Sequence, residues 1–212
     1  MRLSLIGMSG SGKSHWSLKL SQAGFRRFCC DELIAARLSG DLRNHDGSLR
    51  DLGEWMGFPF EPGYAERESK YLQCETEVIE EILTYLWSLD RTRDEKVVVD
   101  TTGSVIYTGD ALLAALKAQT TVVHLETPSH VRLDMLESYV RKPRPVLWRG
   151  FFKKQKGETE ASALARCYVE LLERREALYA KAAHLTIPFH EHKSEVQGIE
   201  GFLKRVCQLE RC

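Results

Sequence analysis

Neither sign of charge is in excess in this 212-residue chain: 30 lysines and arginines balance 30 aspartates and glutamates. No global field therefore calls for nucleic acid or an anionic membrane, and any basic site must be local. Also missing is an apolar run of membrane-spanning length, and the opening MRLSLIGMSGSGKS is apolar for too few residues to be a signal peptide. A cytoplasmic protein with no nucleic-acid or membrane partner is the expectation. The six cysteines, Cys29, Cys30, Cys74, Cys167, Cys207 and Cys212, lack the paired spacing of a metal site, so reduced thiols follow. No internal repeat or low-complexity linker divides the chain, and its length suits a single domain over residues 1–212.

What is present is alternation of strand and helix patterns. A short apolar strand, Arg2–Ile6, runs through a glycine-rich turn into a helical pattern from Lys13 to Ala23. A second strand ends ahead of Asp31, and a helix follows from Asp31 to Leu38. Residues 39–62 turn loop-like, with Gly40, Gly47, Gly53, Gly57, Pro59 and Pro62, before a long helix over 65–87. Further strands fall at 97–99, 121–126 and 184–187, with helices at 110–117, 128–140, 160–182 and 194–209 between and after them. This order predicts an α/β fold with a five-stranded parallel sheet and helices on both faces. The basic, proline-broken segment over 141–159 reads as a mobile loop or lid.

Gly7-Met8-Ser9-Gly10-Ser11-Gly12-Lys13-Ser14 matches G-x-x-x-x-G-K-[ST] and sits between a strand and a helix, where its mechanism needs it. Backbone N–H groups of such a loop point at phosphate oxygens, and the helix N-terminus adds partial positive charge. The spacing predicts a P-loop NTPase fold that binds ATP through Ser9, Gly10, Ser11, Gly12, Lys13, Ser14 and His15. Lys13 would reach the β- and γ-phosphates, and the Ser14 hydroxyl would ligate Mg2+.

Four stretches extend the reading. FCCDELI at 28–34, Glu68-x-x-Tyr71-Leu72-x-x-Glu75, TTGSVIYTGDALLAAL at 101–116, and RPVL at 144–147 with RREALYAKAAHLTI at 174–187 together resemble shikimate kinase and its relatives. They resemble that family's aspartate-bearing strand end, its E-x-x-F-R-x-x-E helix, its triple-glycine turn, its R-P-L-L lid and its R-x-P-L-Y helix. The resemblance implies a small-molecule kinase in which residues 39–87 form the acceptor-binding insert and helix and 141–159 the lid. Departures are equally plain: Leu72 stands at the family's carboxylate-gripping arginine, Thr101 and Thr102 replace two glycines, and Cys29 replaces the first of two aspartates.

The resemblance assigns catalysis to Lys13, Asp31 and Arg144, and substrate binding to Asp31, Thr102, Gly103 and Arg175. Each has a plainer alternative. Asp31 opens a helix and could simply cap it. Arg144 lies among Arg141, Lys142, Arg149, Lys153, Lys154 and Lys156, most of which read as solvated charge. Arg175 lies on a charged helix, where a surface ion pair is an alternative. Lys70 or Arg67 are candidates to compensate for Leu72. Trp55, Phe58 and Phe60 read as core or, less often, as a wall over the acceptor; His190 and His192 read as surface residues.

Asp100 closes the strand KVVVD, where a bare carboxylate would be costly. The expectation is that it positions Mg2+ through a water, the alternative being a cap on the following turn. Taken together, ATP and Mg2+ are the expected cofactors, with the γ-phosphate passing to a hydroxyl of a small polar metabolite other than shikimate. A nucleoside or nucleoside monophosphate kinase, and an ATP-binding regulatory module without acceptor, remain alternatives. The protein is expected to be a monomer or a homodimer.

Overall fold

The structure is a computed structural model that describes residues 1–44, 46–89, 95–194 and 198–209. Strands β1 (Arg2–Ile6), β2 (Arg26–Cys29), β3 (Val97–Asp100), β4 (Thr121–Leu125) and β5 (Leu185–Ile187) form one parallel sheet in the order β2-β3-β1-β4-β5. The helices are α1 (Lys13–Gln22), α2 (Cys30–Arg37), α3 (Ser39–Leu42), α4 (Leu52–Met56), α5 (Tyr64–Ser88), α6 (Asp110–Gln119), α7 (Arg132–Arg141), α8 (Glu160–Ala182), α9 (Phe189–Lys193) and α10 (Gly198–Leu209). Among the described residues no helix is long and apolar enough to cross a membrane.

Period-two alternation divides each strand between two cores. Leu3, Leu5, Val98, Val123 and Leu125 face one layer, with Trp16 and Leu20 of α1 and Phe202 and Val206 of α10. Ile6, Val97, Val99 and Val122 face the other, with α2, α5 and α8. A sheet covered on both faces needs apolar residues on both, so Val97, Val98 and Val99 are all fully buried. The register sets Leu5 opposite Asp100 and Cys29 opposite Asp100 on its other side, so the carboxyl ends of β1, β2 and β3 meet in one place.

Several sequence expectations need correction. The insert is not a bare loop: it holds α3 and α4, whose four and five residues are too short to give a period. The helix expected from Pro128 begins as a 3-10 turn, Ser129–Val131, before α7. FHEHK forms α9, and His192 is buried rather than on the surface. Its carbonyl accepts from Trp16 Nε1 at 3.0 Å, and its Nε2 lies 2.9 Å from the Glu126 carbonyl. Residues 195–197 of the predicted closing helix, and Cys212, lie outside the described residues.

The basic segment is irregular, as expected, yet its middle is core. Val146, Leu147 and Trp148 are buried, and the Trp148 amide donates to Tyr64 Oη at 3.0 Å while its ring packs on Tyr139, Phe152 and Tyr168. Trp148→Ala should therefore cost about 3–5 kcal/mol in urea unfolding. Leu49→Ala, at a side chain 65% exposed, should stay within about 0.5 kcal/mol.

Candidate active site

The phosphate loop connects β1 to α1, and Gly12 caps α1 at φ 108°, a left-handed backbone that a side chain would strain. The loop is closed on its own lysine: Lys13 Nζ donates to the carbonyls of Gly7 and Met8, each at 2.9 Å. Burial, which disfavours the charged form, pulls the Lys13 ammonium below its ordinary pKa, while Asp100 and Asp31 act to raise it. Ser9, Gly10, Gly12, Lys13, Ser14 and His15 line one cleft of about 390 Å³, together with Asp31, Gly103 and Arg144. Ser11 faces a second cleft of about 290 Å³ with Ser9, Gly10 and Arg144, so the loop and this arginine divide the two spaces.

Asp31 sits in the first turn of α2 and opens onto the first cleft. Its surface meets the water of that cleft, yet the protein around it is dense enough to push the carboxyl pKa up; Lys13 and then the Tyr71 hydroxyl, which donates to Oδ1 at 3.0 Å, pull it down. No side-chain cap bond forms at the start of α2, whose N-cap is Cys29, so capping is not what holds Asp31.

Asp100 is buried at the end of β3, and its partners are a hydroxyl and a cation. Oδ2 accepts from Ser17 Oγ at 2.9 Å and from Arg27 at 3.2 Å. Arg27 in turn donates to Ser17 Oγ at 2.8 Å and to Glu32 at 3.0 Å. Ser17 Oγ also lies 3.1 Å from the Ser14 carbonyl, so Asp100 is tied to the loop helix one turn behind Ser14. Arg27 was not singled out in the sequence, because nothing in RRFCC marks which arginine turns inward.

Arg144 reaches over the loop, its NH1 lying 3.5 Å from where a Cβ on Gly10 would stand. Its backbone rests on the insert at Gly53. A Cβ there would overlap the Pro143 carbonyl and stand 2.8 Å from Arg144 Cα, so the first turn of α4 and the lid backbone pack with no side chain between them. Tyr64 and Glu68 secure the following residues: Tyr64 Oη donates to the Val146 carbonyl at 2.6 Å, and the Arg149 amide donates to Glu68 Oε1 at 2.8 Å.

Shikimate kinase from Bacteroides thetaiotaomicron superposes at a TM-score of 0.63 with 19% identity, over 100% of this chain and 99% of that one. Shikimate kinase from Acinetobacter baumannii, solved with shikimate, gives 0.61 and 22% over 98% and 91%. The fold is that of the shikimate kinases. No protein-family model and no curated protein matches the chain.

On this shikimate kinase-like fold, the remaining expected residues are not all in the cleft. Gly103 lines it, whereas Thr102 is buried behind the wall, donating to Glu75 Oε1 and lying 3.0 Å from Ser104 Oγ. Arg175 is buried too, in no ion pair among the described residues; it donates to the Gly103 carbonyl at 3.3 Å and the Leu147 carbonyl at 2.5 Å, bracing both segments from behind. Leu72 packs against the core. Lys70 pairs with Asp41 at 2.6 Å, and Arg67 donates to the Met56 and Pro62 carbonyls, so neither lines the cleft in place of an arginine at position 72. Trp55 is core, and Phe58 and Phe60 stack on each other, Phe58 meeting Tyr139 edge-on and Phe60 meeting Phe152 at a tilt. The aromatic insert is thus a joint to α7 and the lid rather than a lining of the cleft.

Glu75, which sequence reasoning used only as a motif position, is fully buried and also accepts from Ser104 Oγ at 2.6 Å. Burial lifts its pKa from 4.5 to about 7, against the pull of the Ser104 and Thr102 hydroxyls. The folded protein then holds a proton that the unfolded chain has already lost. Stability from this group is full below pH 4.5 and is lost as pH rises through about 7. Glu75→Gln should remove a decline on the order of 2–3 kcal/mol, read as the difference in urea-unfolding free energy between pH 5 and pH 8 in the two proteins. Gly53→Ala should force Arg144 away from the loop; compared with the parent, its ADP affinity should fall several-fold in calorimetric titration, while Gly40→Ala, with nothing within 4 Å of the added Cβ, should leave it unchanged.

Proposed function

We propose that the protein is an ATP-dependent phosphotransferase that moves the γ-phosphoryl group to a hydroxyl of a small polar metabolite other than shikimate. The observation that carries this reading is the convergence of Lys13, Asp31 and Arg144 on one cleft at the carboxyl ends of the central strands. The phosphates would lie along the backbone N–H groups of the loop, with the Lys13 ammonium leaving its loop carbonyls to meet them. The nucleoside would enter the second cleft, where Ser11 Oγ and Thr127 Oγ1 are buried with no hydrogen-bond partner among the described residues.

The residues present fit magnesium as phosphate-loop enzymes hold it, by one hydroxyl and phosphate oxygens rather than a protein cage. Ser14 is exposed to the cleft, and Ser17 links its carbonyl to Asp100. When bound, the ion neutralises phosphate charge; Ser14 would hold it, and Asp100 would orient a water on it.

The chain's own part is positioning and charge. Asp31 would accept the proton of the acceptor hydroxyl as that oxygen meets the γ-phosphorus. Arg144, at the boundary of the two clefts, would meet the equatorial oxygens of the transferring group. The acceptor end is bounded by Asp31, Asp51, Leu52, Gly53, Gly103, Lys142 and Pro145, with no arginine from α5. This supports an acceptor other than shikimate.

The test is ADP release with ATP, magnesium and a panel of polyols, sugar acids and nucleotides. Turnover with a polyol or sugar acid is expected, and Lys13→Ala should abolish it while the circular dichroism spectrum stays the same. If ATP raises the melting temperature but no acceptor raises ADP release above background, the kinase reading fails and an ATP-binding module takes its place.

A further inference from the structure

We propose that Tyr71 is the positioning residue for the acceptor-activating carboxylate: its hydroxyl, 3.0 Å from Asp31 Oδ1, holds Asp31 with Oδ2 left for the acceptor. The proposal rests on the reading of Asp31 given above.

Tyr71 lies on α5, fully buried, and is not part of the cleft lining; it reaches Asp31 from behind as α5 packs on α2. A buried phenol needs a hydrogen-bond partner, and this one has chosen a carboxylate over backbone. Its position is the phenylalanine of the E-x-x-F-R-x-x-E pattern that this helix resembles, so the ring has a packing role and the hydroxyl is what this chain carries beyond that pattern. The same turn carries Leu72 where that pattern has an arginine, and Leu72 packs against the core.

The other charged and titratable groups acting on Asp31 are Lys13 from α1, Arg144, Asp100 from β3 and Glu75 from α5. Lys13 and Arg144 favour its ionised form; Asp100 and an ionised Glu75 oppose it. Both cations would also face phosphate once nucleotide is bound, which weakens their hold on Asp31. Tyr71 is outside the cleft and its donation is not diverted. In the transfer step the acceptor oxygen bonds to the γ-phosphorus, its proton passes to Asp31 Oδ2, and the bond from that phosphorus to the bridging oxygen breaks, leaving ADP; Tyr71 keeps its own proton throughout. A hydrogen bond donated to the charged carboxylate lowers the pH at which Asp31 becomes available as a base, against the burial that raises it.

Tyr71→Phe removes the one oxygen and preserves the ring. In 13C NMR of aspartate-labelled protein, with the Asp31 carboxyl signal assigned by its loss in Asp31→Asn, the Asp31 titration midpoint should move to higher pH in Tyr71→Phe; this readout needs no acceptor. With an acceptor in hand, the acid limb of the ADP-release profile should move the same way, so the variant loses several-fold in rate on the acid side and approaches the parent at alkaline pH. Tyr71→Phe should add no further loss in the Asp31→Asn background. An unmoved Asp31 midpoint, or a rate loss equal at every pH, would overturn the positioning role. If Asp31→Asn itself released ADP at the parent's rate, the fault would lie in the reading of Asp31 as base, and the proposal would fall with it.

Discussion

Everything at this site depends on where one buried ammonium can be balanced. Lys13 is drawn out of water by the close packing of the phosphate loop, and an unpartnered cation there would be strongly disfavoured. Its immediate partners are the loop's own carbonyls, and the two carboxylates that favour its charge, Asp100 and Asp31, arrive from the ends of β3 and the start of α2. The parallel sheet makes this possible, because adjacent parallel strands bring their carboxyl ends to the same edge. Strand order is therefore a condition of the charge balance as well as of the packing.

A second dependence runs between the insert and the lid. Gly53 lets α4 meet the backbone of Pro143 and Arg144, the Phe58–Phe60 stack leans on Tyr139 and Phe152, and Tyr64 and Glu68 hold residues 146–149. Arg144 thus takes its place over the loop from contacts made by the insert. Arg175 joins the same assembly from below by donating to both the Gly103 and Leu147 carbonyls. A buried guanidinium whose donors meet carbonyls and a hydroxyl costs less than one left bare.

Much of the fold was legible because its signals are local. The phosphate loop is contiguous, the long helix expected over 65–87 spans Tyr64–Ser88, and the valine triplet announced a strand buried on both faces. What escaped was set by contacts across the chain. Arg27 meets Asp100 over a separation of 73 residues and Tyr71 meets Asp31 over 40, and no periodicity encodes either meeting. His192 read as surface because no further ligand residues stand near it in the sequence, whereas its burial follows from Trp16 and Glu126, both distant in the chain. The glycines and prolines of the insert read as loop since helices of four or five residues are too short for a face to show.

The charge arithmetic around Asp100 links these threads. In the resembling family the strand end before α2 carries an acidic pair; here Cys29 is buried and its thiol is pushed up to about 11, chiefly by burial, so it brings no charge at neutral pH. One negative charge is thus missing beside the loop, and a positive one, Arg27, points inward from the same strand to meet Asp100. With the second carboxylate absent, Asp100 meets Arg27 directly and favours the charge of Lys13, and Arg27 also pairs with Glu32. Adding an aspartate at position 29 alone would place a third carboxylate against the register partner Asp100. With an uncharged thiol at position 29, the Asp100 carboxylate at the end of β3 is met by Arg27 from the neighbouring strand and by the Ser17 hydroxyl.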